Sequence, residues 1–292
     1  MVQRRTDLAV EAHQLWREQA GETTKLPGVR AEEGETEGFS TTRVTILDRE
    51  GAAALGKPVG QYLTIELDGL LRREQDSFQR AVRAVAALLE PMLPPQGLAL
   101  VAGLGNRAIT PDLVGPLAAD RTLATRHLVE QLADMFGHLR PVAVLTPGVL
   151  ASTGVESGLL VQAAVEQLRP ACVVAVDALA SRSAQRLCRT VQLSDAGIVP
   201  GSGVGNHRLP LDAHHLGVPV ISLGVPTVVE ASTLALDLVG EGHSGPLPGA
   251  DLFVTPREVD SQVADLGRVI GFGVSMALNP SLSVDELTLL LE

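Results

Sequence analysis

The fold is organised around one segment, Gly103-Leu104-Gly105-Asn106-Arg107-Ala108-Ile109-Thr110-Pro111-Asp112-Leu113-Val114-Gly115-Pro116. The apolar run 98–102 before it predicts a buried strand, and a helical pattern follows it. In open α/β sheets, ligand and catalytic groups gather at such carboxyl ends of strands. Gly103 and Gly105 permit tight backbone geometry there. The segment therefore predicts either a functional site that includes Asp112 or a structural turn in which Asp112 caps a helix.

Strand-like runs alternate with helical patterns along the rest of the chain. The predicted strands are 41–47, 62–67, 98–102, 142–145, 171–176, 190–193 and 218–223. The predicted helices are 75–89, 117–135, 157–168, 179–189, 228–239 and 255–278. The run 171–176 is apolar throughout, which is typical of a strand covered on both faces. This alternation predicts an α/β fold with a mostly parallel sheet and helices on both faces.

Two segments are predicted to be loops inside a single α/β domain that spans residues 1–292. Residues 22–38 are rich in Gly and Glu, and residues 240–252 are rich in Gly and Pro. Both contain few large apolar residues, so neither predicts a packed element.

Composition excludes several classes of partner. A net charge of −11 and an aromatic content of 2% disfavour binding to a phosphate backbone or to unstacked bases. No apolar run reaches the ~18 residues of a membrane span, and no signal-peptide pattern opens the chain. Cys172 and Cys188 lack metal-ligand spacing and fit a reducing compartment. We therefore expect no direct nucleic-acid partner and no membrane partner.

A second acid, Asp177, follows the apolar run 171–176 and is predicted to face the same sheet edge as Asp112. Two close carboxylates that share a proton can act as acid and base on a peptide carbonyl and an attacking water. The same pair can instead hold a divalent metal ion. Two unrelated helix caps are the third interpretation.

The glycine-rich run 201–206 is weak as a phosphate loop, because loop residues precede it and Asn206 stands where the third Gly is needed. A shaped wall of an active site is the favoured interpretation. Ser202 lacks the Gly-x-Ser-x-Gly elbow of serine hydrolases. His207, His214 and His215 lack clear zinc spacing.

Short motifs along the whole chain resemble one protein family. In order they are RTDLAVE (5–11), GLGN (103–106), TPD (110–112), TRHL (125–128), PGV (147–149), AVDALA (175–180), SDAG (194–197), GSGVGN (201–206) and GVPTVV (224–229). Together they resemble the germination proteases of spore-forming bacteria, endopeptidases that degrade small acid-soluble spore proteins when spores germinate. The segment 240–252 looks shorter than in typical members.

The resemblance implies an atypical aspartate-dependent protease with a fold like that of the hydrogenase maturation proteases, a phosphorylase/hydrolase-like fold. The two acids proposed as catalytic in the family match Asp112 and Asp177, and no cofactor is expected. In the maturation proteases the matching carboxylates bind a metal, which keeps a divalent metal at this pair open. The residues expected to support the active-site loops are Gly103, Gly105, Asn106, Asp195, Gly201, Ser202 and Gly203.

The resemblance also implies a zymogen that processes itself. Cleavage is expected between Asp7 and Leu8, where an acid, a large apolar residue and Ala stand in sequence as in the family's substrates, so residues 1–7 would be a propeptide. Small acid-soluble spore proteins as substrates, a homotetramer and a cytoplasmic location in the forespore or spore core follow by resemblance. The alternatives left open are a metal-dependent maturation-type processing protease and a non-catalytic binding protein with a carboxylate site.

Overall fold

The computed structural model describes residues 5–21, 26–72, 74–201, 208–239 and 252–291. Its strands are β1 (Val29–Thr36), β2 (Phe39–Ile46), β3 (Gly60–Glu66), β4 (Ala99–Gly103), β5 (Val142–Leu145), β6 (Cys172–Ser181), β7 (Thr190–Ser194), β8 (Val220–Glu230) and β9 (Phe253–Val254). They form one sheet in the order β1-β2-β3-β7-β8-β6-β4-β5, and β9 pairs with β8.

The helices vary from one turn to five. They are α1 (Ala9–Ala20), α2 (Arg49–Leu55), α3 (Asp68–Leu71), α4 (Ser77–Leu89), α5 (Val114–Asp120), α6 (Arg126–Gln131), α7 (Ala133–Phe136), α8 (Leu150–Thr153), α9 (Ser157–Leu168), α10 (Ala213–Leu216), α11 (Ala231–Val239), α12 (Val259–Leu278) and α13 (Val284–Leu291). Among the described residues, none of these helices is both long and apolar enough to cross a membrane.

The α/β class is confirmed, but the prediction of a mostly parallel sheet is wrong because the sheet is mixed. The β5–β4, β4–β6 and β6–β8 pairs are parallel. The β1–β2, β2–β3, β3–β7, β7–β8 and β8–β9 pairs are antiparallel. Alternating hydrophobicity identifies a strand but does not give the direction of its neighbour, so the antiparallel part was not predictable from the pattern.

The prediction of a loop over 22–38 is wrong for residues 29–36, which form β1. This strand pairs along its whole length with β2, from Val29 opposite Ile46 to Thr36 opposite Phe39. Glu37 and Gly38 both adopt positive φ in the connecting turn, as a tight hairpin requires. β1 lies at the edge of the sheet and is exposed along most of its length, so its Glu-rich composition carries no apolar pattern. The predicted loop 240–252 lies outside the described residues except for Leu252.

Two predicted helices differ from the observed structure. Residues 179–181 continue strand β6, and only a short 3-10 turn, Ala184–Arg186, lies in the rest of 179–189. The small apolar residues beyond Asp177 are compatible with a helix or a strand. They form a strand because they pair with β8. The predicted helix 117–135 is divided into α5, α6 and α7.

Helices cover both faces of the central sheet. On one face, α4, α5 and α12 pack against the side chains of Val174, Val176 and Leu223. On the other face, Val161 of α9 packs against Val173. Each fully buried Val or Leu contributes about 1.5–3 kcal/mol relative to exposure, so these layers fix the central strands firmly.

Of the neighbouring parallel strands β4 and β6, β4 ends first. β4 ends at Gly103, opposite Val176, whereas β6 continues to Ser181. The last five residues of β6 therefore have no strand partner on the side of β4. Asp177 is the first of these residues, so it lies immediately beyond the end of β4.

Candidate active site

Asp112 lies in the 3-10 turn Thr110–Asp112 that follows β4. Its carboxylate Oδ2 accepts a hydrogen bond from the backbone N–H of Asn106 at 2.7 Å. Gly105 adopts φ +126°, and a Cβ placed there would lie 2.0 Å from the carbonyl oxygen of Asp112. Only glycine fits both this conformation and this contact, so Gly105 and Asn106 hold Asp112 in place.

The same loop packs tightly against β6. The backbone N–H of Leu104 donates to the carbonyl oxygen of Val176 at 2.8 Å. A Cβ placed on Gly115 would lie 2.4 Å from that oxygen, and one placed on Gly103 would lie 2.3 Å from the carbonyl oxygen of Gly115. The loop that carries Asp112 is therefore held against the residue immediately before Asp177.

Asp177 is a buried acid, with 4% of its surface exposed. Burial and then the negative charge of Asp112 raise the pKa of Asp177 from its ordinary value of 3.8 to about 8. The backbone N–H groups of Ala178 and Gly201 oppose this rise, and the charge of Asp7 adds to it. A carboxyl group with this pKa is protonated at neutral pH.

Asp112 is only partly buried, and the groups around its carboxylate differ from those around Asp177. Burial raises its pKa as well, but the N–H of Asn106 and the positive charge of Arg208 oppose the rise. The two acids singled out from the sequence lie close enough that the charge of Asp112 adds to the effect of burial on the pKa of Asp177. The predicted position of Asp177 at the end of a strand is wrong, because β6 runs four residues beyond it.

The remaining predicted site residues divide into three groups. The N–H of Gly201 reaches Asp177, as described above. The carboxylate of Asp195 accepts instead from the backbone N–H of Gln61 at 2.7 Å, where it joins β7 to β3. Ser202 and Gly203 lie outside the described residues, as does His207. Within the described parts of the chain, no group of three or more His, Cys, Asp or Glu residues can hold a metal ion.

The predicted cleavage position, Asp7 and Leu8, lies against β6, the strand that carries Asp177. The backbone N–H of Asp7 donates to the carbonyl oxygen of Ala180 at 2.8 Å, and the N–H of Ala180 donates to Asp7 Oδ2 at 2.8 Å. One bond joins the two backbones, and the other joins the backbone of β6 to the Asp7 carboxylate. Leu8 is fully buried and packs with Leu179 and Ile198. The segment before α1 therefore lies along the strand that carries Asp177.

Three residues that sequence reasoning did not single out hold this segment. Lys57 Nζ donates to the carbonyl oxygen of Thr6 at 3.2 Å. Burial lowers the pKa of Lys57, while the charges of Asp7 and Glu11 oppose that fall. Glu11, only 1% exposed, accepts from the backbone N–H groups of residues 182 and 183 at 2.6 and 3.1 Å.

Gln192 of β7 is the third. Its side-chain amide donates to the carbonyl oxygen of Asp7 at 3.2 Å and accepts from the N–H of Ala9 at 2.7 Å. A single Gln in a short strand gives no sequence signal, because these contacts span more than 180 positions of the chain.

An α/β fold with a buried acid of raised pKa beside a second acid marks a candidate active site of an enzyme. The comparisons with known proteins specify the class further. A family model described as germination protease matches residues 9–241. A germination protease of Caldanaerobacter subterraneus subsp. tengcongensis is 39% identical over 98% of both chains. One from Clostridium perfringens is 37% identical over 97% of both chains. This chain belongs to the germination protease family and is a protease.

The structural comparison found a nickel–iron hydrogenase maturation protease, HycI, from Thermococcus kodakarensis KOD1. The match covers 64% of this chain and 98% of that chain, at 20% identity and a TM-score of 0.38.

Proposed function

We propose that this protein is an endopeptidase that starts the degradation of small acid-soluble spore proteins during germination, using Asp112 and Asp177 as its catalytic pair. Family membership supports the substrate class. The single observation that supports the pair is electrostatic: the charge of Asp112 contributes to the raised pKa of a buried neighbour, Asp177. We also propose a homotetramer located in the spore core, as the resemblance of the motifs implies.

In the proposed mechanism, Asp177 is the acid and Asp112 is the base. Asp112 is favoured as the ionised partner because the N–H of Asn106 and the charge of Arg208 stabilise its negative form. It takes a proton from the attacking water, whose oxygen forms a bond to the scissile carbonyl carbon. Asp177 then gives its proton to the leaving nitrogen as the carbon–nitrogen bond breaks. After the reaction Asp112 is protonated and Asp177 is ionised. Transfer of a proton from Asp112 to Asp177 restores the starting state.

The donor set does not favour a divalent metal at this pair. Among the described residues, this site offers two carboxylates, which are fewer protein ligands than the three or more that catalytic zinc sites use. The proposed mechanism therefore runs without a metal.

We further propose that the protein is made as a zymogen and removes residues 1–7 by its own activity. The contacts of Asp7 with Ala180 support this, because they hold the Asp7–Leu8 bond beside the strand that carries Asp177. Leu8 is extended, with φ −85° and ψ 126°. An extended backbone is one form in which peptides bind to proteins.

Intact-mass spectrometry of the full chain tests this proposal. After incubation at mildly acidic and neutral pH, the wild type should lose residues 1–7, and neither Asp112→Asn nor Asp177→Asn should do so. Asp285→Asn, an exposed acid on α13, is the matched control and should process at the wild-type rate. An unchanged wild-type mass under all conditions, with the fold verified, would rule out self-processing.

A further inference from the structure

The side-chain amide of Gln192 binds the backbone on both sides of Leu8. Its Nε2 group donates to the carbonyl oxygen of Asp7 at 3.2 Å, and its Oε1 atom accepts from the N–H of Ala9 at 2.7 Å. The amide is buried, with 7% of the residue exposed. The oxygen that receives its N–H is the carbonyl oxygen of the proposed cleavage bond.

Gln192 and Asp177 share one face of the sheet. Both residues are in register with Gly224 of β8, the strand between them. Side chains at the same register position of adjacent strands point to the same face. A Cβ placed on Gly224 would lie 2.3 Å from Leu179 Cδ1, so Leu179 occupies the space above this glycine. Leu8 in turn packs on Leu179, between the strands that carry Asp177 and Gln192.

Other contacts fix the same peptide from its amino-terminal side. Ala180 pairs with Asp7 through the two bonds described above, and Lys57 binds the carbonyl oxygen of Thr6. These bonds hold Thr6 and Asp7 in place on the amino-terminal side of the carbonyl that accepts from Gln192. The side-chain amide of Gln192 is therefore already in contact with the Asp7 carbonyl oxygen before any reaction. A hydrogen-bond donor must be positioned in this way to stabilise charge that develops in a transition state.

We infer that the side-chain amide of Gln192 is a further catalytic group, the donor that stabilises the oxyanion at the Asp7 carbonyl during self-processing. The inference rests on the proposed self-processing by Asp112 and Asp177. When water attacks, a new carbon–oxygen bond forms and the π electron pair of the carbonyl moves to its oxygen. The Nε2–H of Gln192 binds that negative oxygen. The electron pair returns as the bond to the Leu8 nitrogen breaks and the protonated acid supplies the leaving proton.

Gln192→Glu is the sharpest test. The substitution keeps the length of the side chain and an oxygen that accepts from Ala9, but it removes the N–H that faces Asp7. We expect the first-order rate of self-processing, followed by intact mass at neutral pH, to fall about 100-fold, the usual effect of losing one oxyanion donor. A carboxyl group donates only when protonated, so the ratio of wild-type to variant rate should shrink as pH falls.

Two further variants serve as controls in this experiment. Gln131→Glu places the same charge change on an exposed residue of α6 and should process like the wild type. Gln192→Leu removes both hydrogen bonds and should be as slow as Gln192→Glu, with no recovery at low pH. Thermal unfolding checks that each variant is folded before its rate is compared.

The outcomes separate this inference from the function on which it rests. Gln192→Glu at the wild-type rate, with Asp177→Asn uncut, would overturn the role of Gln192 and leave the aspartate pair standing. A slow Gln192→Glu whose deficit is the same at every pH would mean that loss of the donated hydrogen bond is not the cause of the slow rate, which also overturns the inference. A wild-type chain that never loses residues 1–7 would overturn both proposals.

Discussion

The carboxyl group of Asp177 is buried and lies within reach of the negative charge of Asp112, and burial and this charge together raise its pKa to about 8. The two residues come from different elements, the turn after β4 and the middle of β6. Their proximity depends on the close packing of the 104–115 loop against Val176. This electrostatic coupling can be measured directly.

Replacing Asp112 by Asn should lower the pKa of Asp177, because one of the two main causes of its rise is removed while burial remains. Carbon-13 NMR of the labelled Asp177 carboxyl group in both proteins would measure the change. The pKa should stay above its ordinary value of 3.8. An unchanged titration of Asp177 would mean that the two carboxyl groups do not interact.

The stability of Asp177→Asn should differ from that of the wild type in a pH-dependent way. The unfolded wild type releases the proton of Asp177 near its ordinary pKa of 3.8, whereas the folded state keeps it until about pH 8. Between these values the folded state binds more protons, so the free energy of unfolding of the wild type falls as pH rises. Asn cannot ionise, so across this window the free energy of unfolding of the variant should rise relative to that of the wild type by on the order of 6 kcal/mol.

Urea unfolding at pH 4.5, 6 and 8.5 would measure this difference. The two curves should be closest at the lowest pH and furthest apart at the highest. Asp285→Asn, an exposed acid, provides the control and should follow the wild type throughout. Parallel pH profiles for Asp177→Asn and the wild type would show that Asp177 ionises normally in the folded protein.

Gly105→Ala should disrupt the loop that carries Asp112. Its φ of +126° disfavours a side chain, and the added Cβ would lie 2.0 Å from the carbonyl oxygen of Asp112. Gly154 is a matched control, since it has φ +72° but nothing within 4 Å of an added Cβ. We expect Gly154→Ala to cost about 1 kcal/mol of stability and to keep activity. Gly105→Ala should cost more and lose most of its peptidase activity; equal behaviour of the two variants would contradict this.

Much of the candidate site was predictable from the sequence, because local signals mark it. Gly103 and Gly105 follow an apolar run and precede Asp112, and a second apolar run leads to Asp177. The continuation of β6 beyond Asp177 was not predictable, since small apolar residues suit a helix as well as a strand. The contacts of Gln192 with Asp7 and Ala9 join distant parts of the chain, and no local pattern reports such pairing.

Removal of divalent metal should leave turnover unchanged if the aspartate pair acts alone. The purified protein would be treated with EDTA, dialysed, and assayed on a small acid-soluble spore protein, with metal content measured in parallel. Activity that disappears on chelation and returns with one particular metal would support the metal-dependent alternative instead.

The most direct test of the aspartate pair is the rate at which Asp112→Asn and Asp177→Asn cleave a purified small acid-soluble spore protein. Each chain, and the wild type, would be produced from Leu8 onward so that residues 1–7 cannot interfere. Asn keeps the size of the side chain but cannot transfer a proton, so the comparison isolates acid–base chemistry. We predict that both folded variants are at least about 1,000-fold slower than the wild type. Cleavage by either folded variant within about tenfold of the wild-type rate would contradict the pair.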